Sequence, residues 1–97
     1  MSGKPPFRTA RFSERWKRSY VALSAERQRS CDTAVMALIK GEAAAGRRIK
    51  PIHPDKYYLE ARVNKGDRIV FREEAGELLF IDVIGHDLID RYGRKRG

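Results

Sequence analysis

The stretch "YYLEARVNKGDRIVFREEAGELLFIDVIG", residues 57–85, restricts the fold more than any other part of the chain. Its apolar residues alternate with polar ones. Leu59, Ala61 and Val63 therefore share one face of a strand, and Tyr58, Glu60 and Arg62 share the other. After the hairpin signal "NKGD" the alternation resumes, with Ile69 and Phe71 on the core side and Arg68, Val70 and Arg72 opposite. "EAGE" turns the chain again. The last run, "LLFIDVI", is apolar on both faces except at Asp82, which predicts the central, most covered strand. Consecutive strands joined by such short turns form an antiparallel meander, and its apolar face needs a second layer.

The preceding residues supply that layer. Ser13 is placed to cap a helix in which Phe12, Trp16, Tyr20 and Leu23 recur at spacings of four, four and three, with Arg15, Lys17 and Arg18 opposite. Ser24 offers a second cap, and Glu26 puts a negative charge in the first turn, where the helix dipole favours it. On this second helix Cys31, Ala34, Val35, Leu38 and Ile39 fall on one face, and Gly41 is placed to end it. Upstream, "FRTARF" has aromatic ends and a β-branched Thr9, as an edge strand would. "GEAAAGRRIKPIHPD" (41–55) has no clear period and reads as a connecting loop. Asp87 is placed to cap a short helix carrying Leu88, Ile89 and Tyr92 before "GRKRG".

The expectation is one α+β domain over 1–97. It has an edge strand at 7–12, a helical hairpin at 13–40 packed on one face of a small antiparallel sheet of three or four strands, the meander at 57–84, and a short helix with a basic tail at 87–97. The lone Cys31 excludes an internal disulfide and, among apolar neighbours, reads as a buried thiol in a reducing compartment. No signal-peptide core or membrane-length apolar run is present, so a soluble, cytoplasmic protein is expected. The net charge of +8 points to a polyanionic or acidic partner. The excess lies early: the first fifty residues hold twelve basic and four acidic side chains, and the remainder nine of each. A basic site in the second half therefore requires local clustering. The two histidines stand thirty-three residues apart with no metal-ligand spacing, so no metal and no cofactor are expected.

On the sheet face away from the helices, alternation groups Tyr58, Glu60, Arg62, Arg68 and Arg72, with His86 at the strand end. The order of these residues resembles the RelE/ParE superfamily of bacterial toxins from type II toxin-antitoxin modules, across most of the chain. The resemblance is carried by Lys50, by Leu59, Arg62 and Val63, by Arg68, Ile69 and Phe71, by Gly85 and His86, and by Tyr92. It implies a metal-free, ribosome-dependent mRNA endoribonuclease, or else a poison of DNA gyrase, in either case neutralised by a cognate antitoxin. A third reading is a non-catalytic nucleic-acid-binding or degenerate toxin domain.

Cleaving RNA without a metal requires a group to take the 2'-hydroxyl proton, a cation for the phosphorane and an acid for the leaving oxygen. His86, Arg68 and Arg62 are suited to these tasks, with Tyr92 as a proton donor or base-stacking ring and Glu60 as an alternative base. Lys50, Arg47, Arg48, Tyr58 and Arg72 are the candidate RNA contacts. Each has a structural competitor. His86 can bond a strand end, Arg68 can pair with Glu60, Arg62 can pair with Glu73 or Asp82, Tyr92 can complete the core, and the loop cations can simply be solvated. His53, between two prolines, is the weaker histidine. The acidic residues Glu60, Asp82 and Asp87 near this face depart from the more basic pattern of active relatives. Asp87 either raises the pKa of His86 or repels phosphate.

Overall fold

A computed structural model describes residues 9–41, 49–52 and 58–89. Strand β1 (Thr9–Phe12) leads into helix α1 (Glu14–Val21) and helix α2 (Ala25–Lys40), which are followed by β2 (Lys50–Pro51), β3 (Leu59–Arg62), β4 (Asp67–Glu74) and β5 (Glu77–Gly85). A 3-10 turn over His86–Leu88 follows β5. The strands form one sheet in the order β1-β5-β4-β3-β2, antiparallel throughout except where β1 runs parallel to β5. No helix among the described residues is long and apolar enough to cross a membrane.

The local signals read from the sequence act as expected. Ser13 and Ser24 have extended backbones, and their hydroxyls accept the Trp16 and Arg27 amide protons, satisfying donors that a helix start leaves open. Gly41 closes α2 in the left-handed region, at φ 76°. In the β4–β5 hairpin, Ala75 (φ 49°) and Gly76 (φ 81°) are both left-handed between the paired Glu74 and Glu77. That two-residue loop matches the strands' twist, but it places an alanine where asparagine or glycine is favoured.

The main core lies between the helices and the sheet. Trp16, Cys31, Ala34 and Leu38 face Ala61, Ile69, Phe71, Leu78, Phe80 and Val83, all buried. Phe80 is its hub, with ring centroids 5.0 Å from Phe12, 5.3 Å from Trp16 and 6.2 Å from Phe71. Burial pushes the Cys31 thiol up to about 12, so it packs as a small apolar group. A groove of about 460 Å³ beside this core is lined by Phe12, Trp16, Tyr20, Val21, Val35 and Met36.

Four features differ from the sequence reading. Part of the predicted loop is strand: Lys50 and Pro51 pair with Glu60 and Leu59, making a fifth strand. Pro51 has no amide proton to give, which suits a two-residue edge. Because β2 extends the sheet beyond β3, the middle position falls to β4, and β5 is interior between β1 and β4. Third, β5 carries a bulge. The pairing steps from Val70–Asp82 to Phe71–Phe80 and leaves Ile81 as the extra residue. Beyond it the alternation reverses, so Val83 joins the helix-side core and Ile84 joins the opposite face. Finally, the 3-10 turn starts from Gly85 with no side-chain cap, so Asp87 lies within the turn and does not cap it.

Candidate functional site

The sheet face opposite the helices is not bare. Ile52, Val70 and Ile89 are buried there against Tyr58, Ile81 and Ile84. The sequence reading missed this second cluster because Ile52 sits in an aperiodic segment and Ile89 comes from beyond the last strand. Polar groups surround it. Lys50 lies opposite Glu60, and Arg62 lies opposite Arg68, which in turn lies opposite Ile84. Two arginines facing each other across a strand pair repel, so this row is suited to an anion between them.

Arg68 is held firmly. Its Nη1 donates to the carbonyls of Asn64 (2.9 Å), Asp67 (3.0 Å) and Lys65 (3.4 Å), and its Nε lies 3.8 Å from Glu60 Oε1. The competing ion pair with Glu60 is thus present, but its distance exceeds a hydrogen bond. Glu60 is only 7% exposed, so it is better placed to hold Arg68 than to reach a substrate proton. Arg62 is half-buried on the same face, while Lys50 and His86 are exposed.

His86 is at the Arg68 end of the face. Its amide donates to Gly66 O in the β3–β4 turn at 2.8 Å, and Asp67 and Gly85 are register partners. The exposed Asp87 carboxylate lies against this strand end: a Cβ at Gly85 would sit 2.9 Å from its Oδ1, which a turn of that side chain would relieve, and 3.8 Å from Gly66 O.

Other candidates lie apart. Arg72 shares the face but pairs with Glu74, four residues along β4 from Arg68, about 13 Å at the rise of a strand. Tyr58 packs into the small apolar cluster, and its carbonyl accepts from Ile52 N at 2.9 Å. Asp82 is not an acidic neighbour of the open site. Its carboxylate accepts from Ser19 Oγ and from the Val83 amide and lies 3.9 Å from Arg15, so it ties α1 to the bulge. Arg47, Arg48, His53 and Tyr92 lie outside the described residues.

Sequence reasoning also missed Asp67. Arg27 of α2 grips this carboxylate with two hydrogen bonds, Nε to Oδ2 at 3.0 Å and Nη2 to Oδ1 at 2.7 Å. Those bonds, with help from Asn64 Nδ2, hold the carboxyl below the usual aspartate range against the opposing effect of burial. The missed signal was parity: Asp67 is in phase with Ile69 and Phe71, so it faces the helices and needs a cation from them.

No protein-family model matches the sequence, and no curated protein matches it. Solved structures match its fold. YafQ from E. coli strain BL21(DE3) superposes with a TM-score of 0.69 at 17% identity, covering 84% of this chain and 97% of YafQ. The toxin-antitoxin complex RelBE2 from Mycobacterium tuberculosis gives 0.67 at 16% identity, covering 82% and 99%. The RelB-RelE antitoxin-toxin complex from Methanococcus jannaschii gives 0.67 at 13% identity, covering 84% and 96%. The two helices on a five-stranded, mostly antiparallel sheet are the fold of these toxins.

Proposed function

We propose that this protein is the toxin of a type II toxin-antitoxin module and cleaves mRNA on the ribosome, without a metal, until a cognate antitoxin binds it. The observation that carries the reading is the row of facing arginines, Arg62 and Arg68, with exposed His86 at the same end of the open face. In the reaction the 2'-oxygen of the RNA attacks the neighbouring phosphorus and loses its proton, the bond to the 5'-oxygen breaks, and that oxygen gains a proton. The products are a 2',3'-cyclic phosphate and a 5'-hydroxyl. His86 handles a proton, in preference to the shielded Glu60. Arg68 and Arg62 stabilise the charge that builds on the phosphorane. Lys50 binds a flanking phosphate, and Tyr58 and Arg72 extend the track away from the reacting end, with Tyr92, Arg47 and Arg48 as further contacts. The toxin acts in the cytoplasm.

The test uses purified protein with message-programmed ribosomes. Wild type is expected to cut the message at the ribosome, and His86→Ala and Arg68→Ala are expected to lose most of that cutting while remaining folded. Full growth of cells making soluble protein without its partner would sink the toxin reading.

One observation favours the gyrase poison as a second reading: the hairpin side exposes apolar Phe12, Val21 and Met36 around a groove suited to a protein partner. In that case His86→Ala stays toxic, and DNA breaks accumulate while messages stay intact.

A further inference from the structure

The β3–β4 turn, residues 63–67, meets three parts of the molecule at once. On one side its carbonyls receive the open-face groups: Asn64, Lys65 and Asp67 accept from Arg68 Nη1, and Gly66 accepts from the His86 amide. Every carbonyl from Asn64 to Asp67 is thereby used by one of the two proposed catalytic residues. On the other side Asp67 passes under the sheet to Arg27, a helix residue that lies on the opposite face from the site.

The turn is itself closed by short bonds. Asn64 Oδ1 accepts from Gly66 N at 2.9 Å and Asp67 N at 2.8 Å, and Val63 N donates to Asp67 O at 3.0 Å. These fix the turn's internal shape but not its placement relative to the rest of the molecule. The sheet anchors the turn from one side, through the Asp67–Gly85 pairing and the His86 amide on Gly66 O, and the Arg27 fork anchors it from the helix side. Two parallel bonds to one carboxylate define an orientation as well as a distance, which a single point charge cannot do.

We infer that Arg27 is a positioning residue for the proposed nuclease: through Asp67 it sets the turn on which both Arg68 and His86 are mounted. The inference rests on the nuclease reading for its kinetic consequence, but not for its structural one. Losing the fork leaves Arg68 and His86 present and chemically intact but lets the turn shift. Displacements of about 1 Å far from the reacting atoms can cost about a hundredfold in rate. Arg68 approaches the substrate with the part of its guanidinium not given to the turn, so a tilt of the turn is passed directly to the phosphorane contact. The same tilt loosens the His86 amide from Gly66.

The experiment compares Arg27→Ala and Arg27→Lys with Arg15→Ala, which removes a different helix-to-sheet ion pair, the one at Asp82. All are assayed on programmed ribosomes below their melting temperatures, with hydrogen exchange followed at the His86 amide. Arg27→Ala is expected to lower kcat at least about tenfold with KM within about twofold, and Arg27→Lys is expected to recover only part of that loss. Combined with Arg68→Ala, it is expected to add little further loss, because it acts through Arg68. His86 amide protection is expected to fall in Arg27→Ala and not in Arg15→Ala. Equal kinetic losses in Arg27→Ala and Arg15→Ala, or unchanged His86 protection in Arg27→Ala, would overturn the inference. Should wild type cut no message, the nuclease reading falls by itself, and the His86 amide still decides whether Arg27 sets the mount.

Discussion

The two faces of the sheet handle charge in opposite ways. Toward the helices, each buried carboxylate has partners from the hairpin: Asp67 has Arg27, and Asp82 has Ser19 and Arg15. A stack of aromatic rings centred on Phe80 fills the space between them. Away from the helices, Arg62 faces Arg68, Lys50 stands exposed on the neighbouring edge strand, and the apolar cluster has three buried members among the described residues. On the covered face these two buried carboxylates are each matched by groups from the hairpin. The other face sets Arg62 across from Arg68 with the Glu60 carboxylate beside Arg68, a cationic row to which an anion from outside can add.

That contrast can be broken in several places. The largest effect is expected at Phe80→Ala, which should cost about 3–5 kcal/mol, against about 2 kcal/mol for Ile89→Ala on the small cluster, read from denaturant midpoints. Equal losses would show that the open face is as structural as the covered one. Next comes His86→Gln, expected to slow message cleavage about a hundredfold, roughly 2.7 kcal/mol of barrier, while stability stays within about 0.5 kcal/mol. A large fall in melting temperature with normal cleavage would place His86 among the structural residues.

Asp67→Asn is expected to cost about 1–3 kcal/mol at neutral pH, since it weakens the Arg27 fork. Arg27 lowers the folded pKa of Asp67, so the carboxylate's stabilising effect is complete above the unfolded aspartate value, about 3.9, and is lost as pH falls below it. The gap between wild type and variant should therefore narrow in acid unfolding curves below about pH 4, and a gap that widens there would contradict the pairing. The smallest effect is a gain. Ala75→Asn, in the left-handed position of the β4–β5 loop, should add about 0.5–1 kcal/mol with cleavage unchanged, checked by thermal melting.

Much of the covered face was legible in the sequence because it depends on local rules. Serine caps, Gly41, the helical spacing of Trp16 and Tyr20 and the alternation of Leu59 through Phe71 each act within a few residues. What escaped depends on distant partners. The two residues of β2 are too short to show a period, and the bulge at Ile81 reverses alternation without any glycine to announce it. Asp82 was read as a neighbour of the open face because its partner Ser19 is sixty-three positions away. For the site, alternation alone collected Glu60, Arg62, Arg68 and Arg72 on one face. It could not tell that Arg68 is mounted on turn carbonyls, that Glu60 is shielded, or that Arg72 lies at the far end.

The first strand has a consequence in time. β1 completes its hydrogen bonds only with β5, and the next contact, Ser13 Oγ to Ile81 O, spans 68 positions. A chain emerging residue by residue can form its helical hairpin early, but its opening strand has to wait for the closing one. The first half of β5, Glu77–Phe80, receives β1, and its far end brings His86 to the turn beside Arg68, so a nascent chain stopped before β5 has neither a finished sheet nor an armed site.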